Sequence, residues 1–270
     1  MSVFVVWVAF GLGFLLYAGA FGYLLSRFFA QKTANTVGVL TLFLVASVCH
    51  AWVLLPSIIT KFGLNFNLFN SLSLSALFFV VFFIVFCLYR PIVNLGILTA
   101  PTALLGLTAG FFGRASYEPL ADIGTALEIH IILSFAAYCV LLMACVQAII
   151  LSLQIKELKH QTRHRLWVTQ LPPLQTMEHL LFDMILLGFV LLTIALSVGF
   201  LSTYDIKAQH IAHKLVFSVL SWLVFGGLIV GHYRYGWQGR RACRITIYGF
   251  LLLAIGFIGT KVVLEVLLNS

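Results

Sequence analysis

Residues 72–89 read LSLSALFFVVFFIVFCLY, eighteen consecutive positions without a charged side chain. A transmembrane helix needs about 20 predominantly apolar residues, because the hydrocarbon core of a bilayer is about 30 Å thick and each helical residue advances about 1.5 Å. The stretch lacks the sustained apolar–polar alternation that a membrane β-strand requires. Residues 72–89 therefore predict a membrane-spanning helix.

Seven further apolar stretches occupy most of the remaining chain. The eight predicted helices cover about residues 3–29, 37–59, 72–89, 91–112, 125–155, 180–202, 213–235 and 245–268. Of the 270 residues, 62% are apolar and only 9% are charged, whereas a soluble domain carries roughly 25% charged residues. The predicted fold class is all-α, a polytopic membrane helix bundle of about eight transmembrane helices that forms a single integral membrane domain over residues 1–270.

This composition argues against a soluble enzyme, a disordered chain and a nucleic-acid-binding domain. The net charge of +8 is explained by basic residues in cytoplasmic connections, so we expect the lipid bilayer as a partner and no nucleic acid. With the N-terminus outside, eleven of the 16 lysines and arginines fall on the inner side of the membrane and five on the outer side. We therefore predict that both termini are outside and that the basic connection 156–177 is inside.

The sequence lacks recognisable catalytic motifs. It contains no GxSxG, HExxH or GxGxxG and no phosphate-binding glycine loop, so hydrolase and kinase activities have no support and we expect no enzyme. The five cysteines form no CxxC pair, which argues against a redox pair or a zinc site.

Four of the eight histidines lie in or at the edge of a predicted span: His50, His130, His213 and His232. Ionisable side chains are costly within a membrane and tend to mark a site or a pathway. Imidazoles that face each other across an aromatic-rich bundle suit an iron porphyrin. Zinc and copper suit them less, since no thiolate or carboxylate joins them at metal-ligand spacing. The alternatives are neutral histidines that hydrogen-bond between helices, and a proton relay.

Helical spacing groups other polar side chains with two of these histidines. His130, Ser134 and Tyr138 recur every four residues and form one polar stripe. Lys214 and His232 are eighteen residues apart, which is five helical turns at about 3.6 residues each, so they share a face. The spacing thus aligns polar groups along two of the predicted helices.

Three stretches resemble a known family. Residues 171–202 (LPPLQTMEHLLFDMILLGFVLLTIALSVGFLS) resemble the LPxLexLdxlxyxxxxxGFxLLTxgxxxG segment of the haem-handling cytochrome c assembly proteins, the CcsA and CcmC relatives. Residues 221–241 (SWLVFGGLIVGHYRYGWQGRR) are similar to the family's tWliyaxxLHxRxxxGWrGrraA segment, and the helix start around His130 is similar to its MHVxxxxxSYa. The resemblance is best over residues 128–250.

The resemblance implies a multi-pass protein of the bacterial inner (plasma) membrane that binds or translocates haem as an accessory to cytochrome c maturation. The implied cofactor is a b-type haem (heme). The implied partners, besides lipid, are other cytochrome c maturation or membrane proteins.

The family's functional positions can be transferred one by one. His130 corresponds to the outer haem histidine, and His50 and His232 correspond to the histidines within the membrane, so these three are the possible iron ligands. The remaining candidates lie at the outer side: His213 as a competing ligand, and Lys214 and Arg114 as contacts for the haem propionates.

One segment departs from the family pattern. Members that deliver haem carry a tryptophan-rich WGxxWxWDPKE segment, where this chain reads STYDIKAQHIAHKLV at residues 202–216. The chain therefore resembles the short, eight-span YpjD-like branch. Two alternatives stay open: an ion or small-molecule transporter subunit, or a membrane accessory or regulatory protein that kept the scaffold and lost haem.

Overall fold

Eight α-helices make up nearly all of the described part of the chain. The computed structural model describes residues 3–60, 63–113, 124–159, 171–202 and 209–262. Within these ranges the helices are α1 (Val3–Phe29), α2 (Thr36–Ile58), α3 (Leu68–Tyr89), α4 (Gly96–Phe112), α5 (Thr125–Lys159), α6 (Leu174–Ser202), α7 (Gln209–Tyr235) and α8 (Gly239–Val262). The all-α class predicted from the sequence is confirmed.

The helices have the length and surface of membrane spans. In the described ranges, α1 to α7 are long and apolar enough to cross a bilayer, and α8 carries Arg240, Arg241 and Arg244 near its start. Large apolar side chains also face outward, with Phe4 and Leu105 exposed at 76% and 69%, as expected of a surface that contacts lipid. The chain is a polytopic helical membrane protein. The number of eight spans and the orientation of the termini stay predictions.

Asparagine caps set the starts of two helices, α2 and α3. The Asn67 side chain accepts a hydrogen bond from the Asn70 amide at 2.8 Å, so α3 begins at Leu68, four residues before the predicted start. Asn35 caps α2 in the same way through the Gly38 amide at 3.2 Å. Such caps satisfy backbone N–H groups that have no partner within the helix.

A hairpin of two very short strands follows α2. Strands β1 (Ile59–Thr60) and β2 (Gly63–Leu64) pair antiparallel, with Ile59 opposite Leu64. Two-residue strands are too short to show an alternating pattern, so hydropathy does not predict them. The hairpin occupies part of the connection between α2 and α3.

The chain divides into two compact units. Unit 1 comprises Met1–Ile123 and Arg165–Pro172, and unit 2 comprises Gly124–His164 and Pro173–Ser270. Unit 1 therefore contains α1 to α4 and unit 2 contains α5 to α8. The single integral membrane domain over residues 1–270 stays a prediction.

Within unit 1, α3 and α4 pack antiparallel through small residues. Gly106 lies against Ala76, Gly110 lies against Ser73, and a Cβ at either glycine would overlap the facing side chain. Small residues let the backbones of membrane helices approach closely. The core beside this pair contains Phe43 on α2, which is fully buried.

Within unit 2, α6 runs antiparallel to both α5 and α7. At one end the Gln147 side chain of α5 donates to the Met177 carbonyl of α6 at 3.0 Å. Nearer the other end, the Trp222 indole N–H of α7 donates to the Thr193 hydroxyl of α6 at 2.8 Å. The helix α8 folds back along α7, where Ser221 donates to the Gly249 carbonyl at 2.8 Å. These contacts define two ends of unit 2.

Candidate functional site

His130 is held at one end of unit 2 by a hydrogen bond to the backbone of α6. It lies in the second turn of α5, and its Nδ1 is 2.7 Å from the Ala195 carbonyl oxygen. A carbonyl only accepts, so Nδ1 carries the hydrogen and donates it. The lone pair of the neutral ring therefore lies on Nε2, where a metal could bind.

Two residues lie next to the His130 ring, Ser134 on the same helix and Gly199 on α6. The Ser134 hydroxyl is 3.5 Å from Nε2, which is long for a strong hydrogen bond. On the other side, a Cβ at Gly199 would lie 2.5 Å from Cε1 and 2.6 Å from Nδ1 of the ring. Only glycine lets α6 come so close to this imidazole. Tyr138, the third member of the predicted stripe, packs against Phe250 of α8, with ring centroids 5.3 Å apart.

His232 has a matching arrangement near the end of α7. Its Nδ1 is 3.0 Å from the Trp237 carbonyl oxygen and donates to it. The ring stacks on Phe182 of α6, with centroids 3.6 Å apart and planes 21° from parallel. Here too the Nε2 lone pair is the one left for a ligand.

A tight turn between α7 and α8 positions the Trp237 carbonyl. Gly236 and Gly239 adopt φ values of +65° and +57°, a conformation that glycine reaches without the steric penalty of a side chain. The indole of Trp237 lies directly against Gly231, where a Cβ would overlap the ring. The Glu178 side chain accepts a hydrogen bond from the Gly239 amide at 2.7 Å, which fixes the start of α8 to α6.

The imidazoles of His130 and His232 lie at opposite ends of unit 2. Their contacts on α6 are Ala195 and Phe182, which are thirteen residues apart and hence about 20 Å along the helix axis. The two histidines therefore cannot bind the same iron. We refer to these two regions as the His130 end and the His232 end.

His50 belongs to unit 1 and is fully buried on α2. Its Nε2 is 2.9 Å from the Ser73 hydroxyl of α3. The Tyr17 ring of α1 lies edge-on to the imidazole, with ring centroids 6.1 Å apart. One ring nitrogen is thus already engaged within the protein.

Three predicted site residues remain, His213, Lys214 and Arg114, and the structure describes only the backbone of the first two. The backbone of His213 and Lys214 lies in the first turns of α7. Because α7 runs antiparallel to α6, these turns lie at the His130 end. Arg114 lies outside the described residues. In the described ranges no three or more His, Cys, Asp or Glu side chains come together as a metal cluster.

Sequence reasoning did not identify Gly199 and Glu178 as functional positions. Gly199 lies six residues after the GFxLLT segment, at the last glycine of the family pattern, and its contact with His130 gives that glycine a role. Glu178 precedes the exposed His179 and pairs with an amide 61 positions away, which no local pattern reveals.

Comparisons with known proteins match this chain over most of its length. The family described as cytochrome C assembly protein matches residues 39–268. The inner membrane protein YpjD of Escherichia coli K12 is 30% identical over 234 residues, which is 83% of this chain and 85% of that protein. An uncharacterized 28.8 kDa protein of Azospirillum brasilense is 30% identical over 60% of this chain and 63% of its own length.

A more distant similarity involves a protein whose name states a function. The cytochrome c biogenesis protein CcsA of Trichormus variabilis is 28% identical over 89 residues, covering 32% of this chain and 25% of its own. No solved structure matches the chain.

Proposed function

Because the chain belongs to the cytochrome c assembly protein family, we propose that it binds haem in the bacterial inner membrane and moves it during cytochrome c maturation. In this role it is a binding and transfer protein rather than an enzyme. The observation that carries the proposal is the hydrogen bond from His130 Nδ1 to the Ala195 carbonyl, because it leaves Nε2 available to iron.

The residues at the His130 end fit haem iron. Histidine is a common axial ligand of haem, and metal-binding histidines usually donate their second ring nitrogen to a carbonyl or carboxylate that fixes the ring. His130 donates its second ring nitrogen, Nδ1, to the Ala195 carbonyl. Gly199 has no side chain, so the ring can pack directly against α6. Haem bound there would be cargo for cytochrome assembly, with iron as the atom that His130 holds.

His232 fits the same requirement at the other end of unit 2. Its Nδ1 donates to the Trp237 carbonyl, and Phe182 supports one face of the ring. Since about 20 Å of helix separates the two histidines, we propose that they serve different haem positions. Lys214 remains a proposed contact for the propionates at the His130 end, on the strength of the family resemblance. Arg114, outside the described residues, remains a proposed propionate contact on the same ground.

A second candidate function is a transporter subunit or an accessory membrane protein that uses the scaffold without haem. It is favoured by the sequence at residues 202–216, which has no tryptophan where haem-delivering family members have several. In this case His130 and His232 serve only as hydrogen-bonding links between helices.

The visible spectrum of the protein purified in mild detergent tests the proposal. We expect a Soret band in the wild type and split α and β bands on reduction, as histidine-ligated haem gives. The His130→Ala variant should lose this spectrum or shift it while its expression stays near normal. The matched control is His179→Ala, because His179 is exposed in the first turns of α6.

Two outcomes separate the candidates. Loss of the spectrum in His130→Ala but not in His179→Ala supports haem binding at the His130 end. Wild-type haem content in both His130→Ala and His232→Ala would overturn these two histidines as the iron ligands. The absence of haem from the wild type favours the second candidate.

A further inference from the structure

Unit 1 contains two buried polar atoms that have no hydrogen-bond partner among the described residues. They are the Tyr17 hydroxyl oxygen and His50 Nδ1. Both side chains are 0% exposed, and their rings lie edge to face with centroids 6.1 Å apart. Two neighbouring helices, α1 and α2, thus each supply one unsatisfied polar atom to the same part of the core.

Such a pair is rare in a folded protein. At least nine in ten buried polar groups have a hydrogen-bond partner in the protein or in ordered water, and a buried group without one is destabilising. Water bridges polar groups in protein interiors with little loss relative to a direct hydrogen bond. Two unsatisfied atoms on adjacent rings therefore point to a shared ligand rather than to two separate defects.

The hydrogen bond to Ser73 defines what this ligand must do. The Ser73 hydroxyl lies 2.9 Å from His50 Nε2 and can either donate or accept. If Nε2 donates to Ser73, then Nδ1 is an acceptor. If Ser73 donates to Nε2, then Nδ1 carries the hydrogen and is a donor. The tyrosine hydroxyl can also donate or accept a hydrogen bond. A water molecule can satisfy both groups in either case, because it has two hydrogens and two lone pairs.

The apolar surroundings favour a neutral, small occupant. The Tyr17 ring packs against the buried Phe43, with centroids 5.9 Å apart. Gly13 of α1 lies close to Cys49 and Leu107. A Cβ at Gly13 would lie 3.3 Å from Cys49 Cβ and 3.4 Å from Leu107 Cδ2. These neighbours offer no carboxylate to balance a cation.

We propose that one buried water molecule hydrogen-bonds to the Tyr17 hydroxyl and to His50 Nδ1. The water, His50 and Ser73 then form a continuous polar link from α1 through α2 to α3. This link does not depend on haem binding at His130.

The Tyr17→Phe variant tests the proposal by the sign of its effect on Tm. If water occupies the site, removing the hydroxyl takes away one of its partners, and we expect Tm to fall by about 2–4 °C. If the hydroxyl is truly unsatisfied, its removal leaves Tm unchanged or raises it, which overturns the proposal. Tyr248→Phe is the control, because Tyr248 is 63% exposed and its hydroxyl should contribute little.

A double-mutant cycle then asks whether Tyr17 and His50 share the water. In a His50→Leu background, Tyr17→Phe should lower Tm by less than half of its effect in the wild type. Fully additive effects would contradict a shared ligand. A density map at about 2 Å resolution should show one water peak within hydrogen-bonding distance, about 3.2 Å or less, of both atoms, and its absence would also overturn the proposal.

Haem measurements on the same variants separate this inference from the proposed function. We expect Tyr17→Phe to lower Tm while it keeps its haem content, since Tyr17 is not among the proposed iron ligands. A fall in Tm that occurs only together with loss of haem would overturn the water site, whereas wild-type haem content in His130→Ala would count against the proposed function alone.

Discussion

Gly199 controls the distance between α6 and the imidazole of His130. Any larger residue at this position would place its Cβ 2.5 Å from the ring, closer than side-chain atoms can pack. The same ring must keep its hydrogen bond to the Ala195 carbonyl. The size of one side chain on α6 therefore decides whether His130 can hold its orientation.

We predict that Gly199→Ala destabilises the protein and weakens haem binding. Overpacking of a tight contact costs about 1–3 kcal/mol, which lowers Tm by about 2–4 °C for each kcal/mol in a chain of this size. Thermal unfolding and the Soret absorbance per mole of protein measure the two effects.

Gly227→Ala is the control for this substitution. Among the described residues outside its own helix turn, none comes within 4 Å of a Cβ at Gly227. Alanine is favoured over glycine in a helix by about 1 kcal/mol. We expect an unchanged or slightly higher Tm. Equal behaviour of the two variants would contradict the role assigned to Gly199.

The individual histidines could be predicted from the sequence, but their partners could not. His50, His130 and His232 stand out because ionisable residues are scarce in apolar stretches. Ser73, Ala195 and Trp237 become their partners only once helices pair in space. The choice of tautomer at each ring follows from those partners and is invisible in the sequence.

The turn between α7 and α8 joins three helices through backbone hydrogen bonds. Glu178 of α6 holds the Gly239 amide, and the turn presents the Trp237 carbonyl to His232. A carboxylate at a helix start is also favoured by the helix dipole. The GWQGRR sequence thus builds a support for His232, and Arg241 lies over the Trp237 ring at 3.9 Å.

We predict that Glu178→Ala lowers Tm, because a hydrogen bond to a charged group contributes about 1.5–3 kcal/mol. Glu178→Gln should lose less, since the amide oxygen can still accept from Gly239. The measurement is thermal unfolding in detergent. Glu157→Ala on the last turns of α5 is the control, and a Tm loss as large as that of Glu178→Ala would argue against a specific role for Glu178.

Helix boundaries show where sequence reasoning works and where it stops. The predicted and observed ends of α3 agree at Tyr89, because the apolar run stops there before Arg90 and Pro91. The start of α3 differs by four residues, since Asn67 caps the helix ahead of its apolar part. The short hairpin after α2 depends on pairing between Ile59 and Leu64, which no window of hydropathy detects.

The distribution of basic residues should determine how the chain is inserted. Lys156 and Lys159 close α5, Arg234 lies in the last turn of α7, and Arg240 lies in the first turn of α8. The antiparallel packing of unit 2 brings all of these to the His232 end. The positive-inside rule assigns such an end to the cytoplasm.

We predict that the His232 end is cytoplasmic and that both termini are on the outer side. Reporter fusions at the C-terminus should be active only as periplasmic reporters, and fusions within residues 160–170 only as cytoplasmic ones. A cytoplasmic C-terminus would show that the number or the orientation of the spans is wrong.

The division into two units could not be predicted from one-dimensional patterns. Hydropathy predicts eight similar helices, and nothing in it says that α1 to α4 and α5 to α8 form separate cores. For the same reason the separation of His130 and His232 became visible only through their contacts on α6. Which helices pair depends on shape complementarity along whole faces.

The small residues between α3 and α4 also have a mechanical consequence. Ala76 packs against Gly106, and Ser73 packs against Gly110. The side chains of α3 therefore fill the spaces that the glycines of α4 leave. Sliding by one turn, about 5.4 Å, would drive bulkier side chains into the space that only glycine leaves. We therefore expect α3 and α4 to move as one rigid body. Any rearrangement of unit 1 would then occur by motion of α1 or α2 against this helix pair.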